Sequence, residues 1–500
     1  MEDQEALTVK FRPILLLSLL SSLSAAGSDE LPANVRKVLD IRNVPADSLS
    51  LYVADADTGD VVLEWNADTP RNPASTMKLL TTLVALDVLG PAYRWKTDVY
   101  ALGEIKDGRL DGDLLLKGYG DPFLVTERVW QLVRQIRLEG IEEIAGDLLL
   151  DDSWFDVGEH DPGAFDGQPL RAYNVGPNAL LMNFKVVRYW FMPDGNKVTV
   201  RLDPALDNLG VVNRLSVRQG YCGGYQRGIA VTMNDANDEV TFEGRFPSGC
   251  RRYALDRTAL SHNEYVYGLF SLMWREAGGR FDGGWKNFVL PVSKVEDGND
   301  EGNDEGNDEG NDDGDEKIEL LFSFMSRPLV EMITRVNKHS NNVMARQVLY
   351  TLAAEVIGPP GTERGGREVI ADWLARNGLE PCSLALENGA GLSRESRICA
   401  SAMAAMLHFA WQQPYMPEYL ASMSVSGLDG TLRRRFKDSD LIGQAHMKTG
   451  SLDHVAALAG YLQSRSGRRF VVVALQNYED IHRGYGEEVQ EALLRWLNEK

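Results

Sequence analysis

Strand-forming segments at the two ends of this 500-residue chain constrain its fold more than anything between them. Residues 49–65 read as two strands around an Asp57-Thr58-Gly59-Asp60 turn, with β-branched and aromatic residues on either side. Near the other end come three apolar runs, 443–448, 455–462 and 470–475, the last two separated by the turn Arg465-Ser466-Gly467-Arg468. An amphipathic helix is expected over 487–497. Both ends supply strands to one sheet, so the chain must return to its own start. The long middle is then flanking helix or insertion.

The first helix after the hairpin starts at Pro73-Ala74-Ser75-Thr76-Met77-Lys78 and runs as an apolar stretch from Ser75 to a stop signal at Gly90. From Thr97 to about Arg252 the pattern turns to short strands punctuated by Gly and Asp. Gly112-Asp113-Leu114-Leu115-Leu116 and Gly146-Asp147-Leu148-Leu149-Leu150 repeat one phrase around an amphipathic helix near 127–138, and read as two similar ribbon units. Helical periodicity returns at 265–274, at 326–338 and from Ser340 to about Val356. The expected class is α+β, an antiparallel sheet flanked by helices. That domain takes residues 28–96 and 256–500, and 97–255 form one or two inserted β-rich domains.

The formal charge of −21 looks like a statement about partners, but residues 296–316, an acidic Gly-Asn-Asp repeat, hold twelve acidic residues and no basic one. With nothing apolar to bury, that stretch is expected to be a solvated, disordered loop, and its spacing matches neither an EF-hand loop nor a Gly-Gly-x-Gly-x-Asp calcium repeat. The rest of the chain carries −9, and no Lys/Arg cluster with interleaved aromatics points to nucleic acid. Residues 1–27 read as an export signal: Lys10 and Arg12, an apolar stretch from Ile14 to Leu23, then Ser24-Ala25-Ala26 before Gly27. That core is too short to span a bilayer, which takes about 20 residues. The acidic Met1-Glu2-Asp3-Gln4-Glu5 departs from the pattern, and a start at Val9 would restore it. In an exported chain the pairs Cys222/Cys250 and Cys382/Cys399 are compatible with two disulfides or with buried thiols.

Three short motifs carry the chemistry. Ser75-Thr76-Met77-Lys78 places a hydroxyl and an ammonium three residues apart, on one face of a helix. Serine is a weak nucleophile, and a lysine near its ordinary pKa of about 10.4 is a poor base, so the pair works only where burial or a second cation keeps Lys78 neutral. Ser340-Asn341-Asn342 opens a helix, so Ser340 and Asn342 project the same way, a hydroxyl for proton relay and an amide for carbonyl binding. Lys448-Thr449-Gly450 lies on the first C-terminal strand, where a cation and a hydroxyl can meet one carboxylate and the glycine lets backbone approach a substrate. Ser261-His262-Asn263 repeats the second pattern but reads as the opening of a packing helix.

In this order the motifs resemble the serine penicillin-recognising enzymes. The long insertion between the first two resembles the D-alanyl-D-alanine carboxypeptidase/endopeptidases, the class C low-molecular-mass penicillin-binding proteins. Supporting phrases are Gly118-Tyr119-Gly120-Asp121-Pro122, Asn337-Lys338-His339, Gly389-Ala390-Gly391-Leu392-Ser393-Arg394 and Gly430-Thr431-Leu432. Asn388 and Ala390 depart from the family, which tends to have Asp and Ser there. The resemblance implies a penicillin-binding transpeptidase-like domain, split by inserted β-rich domains. It implies a periplasmic enzyme that hydrolyses D-Ala-D-Ala bonds of peptidoglycan stem peptides or cross-links and that β-lactams acylate.

Carried over by motif, Ser75 is the nucleophile, Lys78 its base and Ser340 the relay to the leaving amine. Asn342 holds the substrate amide, Lys448 and Thr449 bind the terminal carboxylate beside Gly450, and the N–H groups of Ser75 and Ser451 form the oxyanion hole. Arg394 and Asp453 read as structural residues near the rim. No cofactor or metal is expected: there is no His-Glu-x-x-His pair, and Glu159-His160-Asp161 reads as a polar loop. No Gly-x-Ser-x-Gly elbow suggests another hydrolase fold. The alternatives are a β-lactamase or esterase on the same scaffold, or a catalytically silent wall-binding protein. Carboxypeptidase against endopeptidase preference, and oligomeric state, stay open.

Overall fold

The computed structural model describes residues 30–223, 228–291, 318–379 and 382–500. The expected export signal, 1–27, and the acidic repeat, 296–316, lie outside the described residues.

The two chain ends meet in a six-stranded antiparallel sheet. Its order is Ser424–Val425, Ala445–Leu452, Val455–Gln463, Arg469–Asn477, Leu49–Asp55 and Val61–Trp65. The central strands are apolar on both faces because both faces are covered. Phe470, Val472 and Ala474 pack with Val35, Leu39, Val489 and Leu493 of the terminal helices Ala33–Arg42 and Tyr485–Asn498. Val471, Val473 and Leu475 share a second core with the helices Lys78–Leu89, Asn342–Val356 and Ala400–Trp411. Each Phe, Val or Leu among these contributes roughly 1.5–3 kcal/mol on burial, which locks the register. A one-residue slip of Ala445–Leu452 would exchange Lys448 for Met447, which is buried in the terminal-helix core.

The inserted unit holds two further sheets around one hydrophobic core. One has Lys96–Lys106 between Arg109–Gly118 and Ile318–Met325. The other runs Ile229–Met233, Glu239–Pro247, Gly210–Arg218, Lys197–Asp203, Val186–Asp194, Tyr253–Thr258. Helices Thr126–Leu138 and His262–Glu276 complete the core.

Two expectations change here. The repeated Gly-Asp-Leu-Leu-Leu phrases are not separate ribbons: they are parallel neighbours in one sheet, Leu114 opposite Leu148 and Leu116 opposite Leu150, joined by the helix Thr126–Leu138. The phrase repeats because both strands are buried in the same core. The boundary expected at 255/256 falls inside this unit, since Ile318–Met325 pairs with Lys96–Lys106 and Trp285–Asn287 with Leu148–Asp151. The unit is entered after Trp95 and left before Ser326, which are joined in both directions: Trp95 N–H donates to Ser326 Oγ at 2.9 Å, and Ser326 N–H to Trp95 O at 2.8 Å. Both cysteine pairs are disulfides, Cys222–Cys250 and Cys382–Cys399.

Candidate active site

The segment before Lys78 is not yet α-helix. Ala74–Met77 forms a 3-10 turn and the α-helix proper is Lys78–Leu89. The reason lies at Ala74, which is buried with φ of +45° and whose N–H is taken by Asn72 Oδ1 at 2.8 Å. A non-glycine residue holds such a conformation only when its surroundings fix it. Asn72 is fixed in turn by a reciprocal pair with Asn477: Asn72 N–H donates to Asn477 Oδ1 at 2.7 Å, and Asn477 Nδ2 to Asn72 O at 3.1 Å. Two glycines let neighbouring backbone close on the turn. A Cβ at Gly450 would stand 2.5 Å from Pro73 O, and one at Gly391, where φ is +69°, would overlap Ala74 O. Ser75 is thereby presented, half-buried, between the sheet and the helical layer.

Lys78 is fully buried with three hydrogen-bond partners: Ser75 Oγ at 3.0 Å, Asn342 Oδ1 at 2.7 Å, and Ala390 O. Burial pushes its pKa well below the ordinary lysine value, and the charges of Lys448 and Arg346 push the same way. A neutral amine has two N–H groups and one lone pair. Asn342 Oδ1 and Ala390 O can only accept, so both N–H groups go to them and the lone pair is left for the Ser75 hydroxyl proton. The contact set thus orients Lys78 as a base toward Ser75.

The other two motifs join this pair. Asn341 caps the helix Asn342–Val356, its side chain accepting from Met344 N–H at 3.0 Å, so Ser340 and Asn342 are left to face the cleft. Ser340 Oγ accepts from Lys448 Nζ at 2.9 Å, and Lys448 also donates to Thr449 O at 2.7 Å. Burial lowers the Lys448 pKa to about 7. Thr449 Oγ1 meets Thr431 Oγ1 at 2.8 Å. Gly450 is buried against the nucleophile turn and Ser451, next on the strand, is exposed. The loop is braced behind by buried Asn337, which donates to Thr82 Oγ1 at 3.1 Å and Ser422 Oγ at 2.9 Å.

Arg394 and Asp453 are exposed and form a rim ion pair at 3.2 Å. A cleft of ≈ 860 Å³ opens beside Ser340 and Asn342, with Tyr173, Phe184 and Trp130 of the inserted unit on its far wall. Sequence reasoning missed Asn72, Asn477, Tyr173 and Arg346. Arg346 stands one turn beyond Asn342 on the same helix, nearly fully buried, and donates to Val175 O at 2.7 Å. A charged residue inside the apolar run Val343 to Leu352 was the signal available.

The competing Ser261-His262-Asn263 is elsewhere: Ser261 caps the helix His262–Glu276 in a capping box with Glu264. Among the described residues one group of metal-ligand type converges, His454, Asp480 and His482. Its rings are already committed: His454 Nδ1 accepts from Asp480 N–H and His482 Nδ1 from His454 N–H, both at 3.0 Å. The ring protons therefore stand on Nε2, the nitrogens a metal would need.

The D-Ala-D-Ala carboxypeptidase 3 (S13) family matches residues 31–291 and 310–500. The sequence is 24% identical over 423 residues to the D-alanyl-D-alanine carboxypeptidase DacB of Haemophilus influenzae, 83% of this chain and 82% of that protein. It is 26% identical over 480 residues to a D-alanyl-D-alanine carboxypeptidase of an Actinomadura species, 92% of this chain and 84% of that one. In fold it is similar to the crystal structure of penicillin binding protein 4 from H. influenzae, with a TM-score of 0.75 at 21% identity, covering 93% of this chain and all (100%) of that one. A predatory endopeptidase of Bdellovibrio bacteriovorus is a more distant likeness, TM-score 0.52 at 16% identity, covering 90% and 91%.

Proposed function

The chain belongs to the D-Ala-D-Ala carboxypeptidase 3 (S13) family, and from that membership we propose how its own residues carry out the reaction. It is a serine-type D-Ala-D-Ala carboxypeptidase, a hydrolase, and a penicillin-binding protein. Ser75 Oγ attacks the penultimate D-Ala carbonyl as its proton passes to Lys78 Nζ. The oxyanion is held by the N–H groups of Ser75 and Ser451, where one donor is typically worth about 3 kcal/mol. Ser340 passes a proton to the leaving amine, while Lys448 and Thr449 hold the terminal carboxylate. Asn342 Oδ1 is engaged by Lys78 and one Nδ2 proton reaches Tyr173 O at 3.5 Å, which leaves the second Nδ2 proton for a substrate carbonyl. Water then releases the acyl group, with Lys78 again as base. A β-lactam enters the same path and stays as the ester of Ser75.

One observation carries this assignment: Lys78, dry and with only acceptors on its other two sides, has a single direction left for its lone pair, toward Ser75. The test is mass spectrometry of the intact protein with penicillin, then of purified muropeptides digested by wild type and Ser75→Ala. A stable adduct on Ser75 and loss of one D-alanine from pentapeptides, both absent in Ser75→Ala, is the expected result. Adduct formation undiminished in Ser75→Ala would refute it. Rapid penicillin turnover without an adduct would favour a β-lactamase, and no acylation a silent wall-binding protein.

Cleavage of cross-links is proposed alongside release of terminal D-alanine. The cleft beside Ser340 is far larger than a D-alanine leaving group needs. A periplasmic location is proposed from the export pattern of residues 1–27 and the wall-peptide substrate. No helix among the described residues is long and apolar enough to cross a membrane.

A further inference from the structure

A second cavity, within the inserted unit, takes no part in this chemistry. It has a volume of ≈ 830 Å³ and three nitrogen bases converge on it: Lys185, His160 and His262. Lys185 Nζ has one acceptor, Leu260 O at 2.9 Å, and no carboxylate in ion-pair range among the described residues. An ammonium has three donors, so two are unused. Lys185 ends a run of three left-handed residues, Asn183, Phe184 and Lys185, with φ of 45°, 55° and 54°. Asn183 anchors that run, its Nδ2 donating to Val186 O at 3.1 Å and to Tyr265 OH at 2.9 Å. The backbone therefore holds a costly shape that delivers the ammonium to the cavity.

Neither ring nitrogen of His262 has a hydrogen-bond partner among the described residues, although the ring lines the same cavity. His160 donates from Nε2 to Asn174 O at 2.9 Å, which leaves Nδ1 free. The nearby acids are already engaged or stand at the rim. Asp152 Oδ2 accepts from Asn178 at 2.7 Å and Asn263 at 3.4 Å, and Glu264 Oε2 accepts from Ser261 N–H at 2.7 Å. Asp235, the other acid on the lining, is exposed. The bases also repel one another: burial, then Lys185 and His160, depress the His262 pKa to about 3. An ammonium with two unused donors and an imidazole with an unpartnered ring N–H thus face one cavity, and a bound anion would accept from both.

We infer that this cavity binds a small oxyanion, a carboxylate or a phosphate, held by Lys185 Nζ and a ring N–H of His262, with His160 Nδ1 as a further donor when protonated. The site lies apart from Ser75. Its wall shares Val175 with the catalytic side, where Arg346 holds the carbonyl of that residue.

The experiment titrates the full-length protein with inorganic phosphate and, separately, with acetate, by calorimetry and by the ring resonances of the histidines. Saturable binding that moves the His262 signals is expected, weakened about tenfold or more in Lys185→Met and in His262→Gln. Penicillin acylation of Ser75, unchanged in both variants, reports that the fold is intact. Binding of phosphate alone identifies a phosphate site, and binding of acetate with equal or greater affinity identifies a carboxylate site. Absence of saturable binding of either ion, or affinity unaltered in both variants, overturns the inference.

Discussion

Lys448 Nζ donates to Ser340 Oγ at 2.9 Å, so the strand that would hold a substrate carboxylate and the loop that would return a proton to the leaving group are one unit. This contact and the one between Lys78 and Ser75 use two buried lysines in opposite charge states. Lys78 must be neutral to act and Lys448 charged.

The first prediction is the pH profile. Lys78 loses its proton well below the ordinary lysine value, so acylation rises with pH and levels off earlier than a free amine would allow. Lys448 loses its charge near pH 7, so carboxylate binding weakens above that pH. For a peptide ending in D-Ala-D-Ala, kcat/KM should be bell-shaped. The C-terminal amide of the same peptide should keep only the rising limb. Identical profiles for the two would contradict the assignment of Lys448.

Arg346 supplies the second prediction. Its charge helps hold the Lys78 pKa down, behind burial and Lys448. Arg346→Met should move the rising limb of acylation to higher pH, and Arg346→Lys should restore most of it. Stopped-flow acylation by a chromogenic β-lactam across pH measures this. A fall in rate with an unmoved limb would leave Arg346 only its structural bond to Val175 O.

Lys448→Met tests the stability side. Folded Lys448 titrates near 7 and the unfolded chain near 10.4, so between those values the unfolded state binds more protons and wild-type stability rises with pH. Below about pH 7 the burial cost is felt in full. The Met variant should lose that slope and be more stable at pH 6 by about 1–4 kcal/mol, while peptide hydrolysis falls about a hundredfold or more. Denaturant melts at pH 6 and 9 check both signs.

Glycine positions give a graded comparison. Gly391→Ala forces a Cβ onto Ala74 O at a residue with φ of +69° and should cost about 2 kcal/mol or more, and slow acylation by displacing Ser75. Gly467→Ala has a similar φ of +87° but open space around it, and should cost about 1 kcal/mol with acylation unchanged. Equal effects on acylation would show that the close packing behind Ala74 does not position Ser75.

The sheet built from both chain ends was legible because its strands are apolar runs closed by unmistakable turns, and the three motifs because they occur together in the order of a known family; singly they say little, since Ser261-His262-Asn263 repeats the second. The start of the Ser75 helix was misread by three residues: local pattern marks where apolar periodicity begins, whereas Ala74 is bent by Asn72. Asn72 itself was invisible, since its partner Asn477 lies 405 residues away. The parallel pairing of the two Gly-Asp-Leu-Leu-Leu strands was hidden for a similar reason, because a repeated phrase says that two segments share an environment without saying that they share a sheet. Arg346 was the one missed residue with a local signal.

The mutual bond between Trp95 and Ser326 closes the insertion at its base, and the host domain also holds it farther along, where Arg346 and Gln347 grip Val175 and Asn178. Because closure entropy grows only with the logarithm of loop length, about 0.6 kcal/mol for each doubling, the tethered cargo is free to lengthen, shorten or be exchanged while the junction stays put. Splicing Trp95 to Ser326 through a tight turn is therefore the natural route to a minimal catalytic core, and grafting a foreign module onto the same two ends the natural route to a new wall of the cleft.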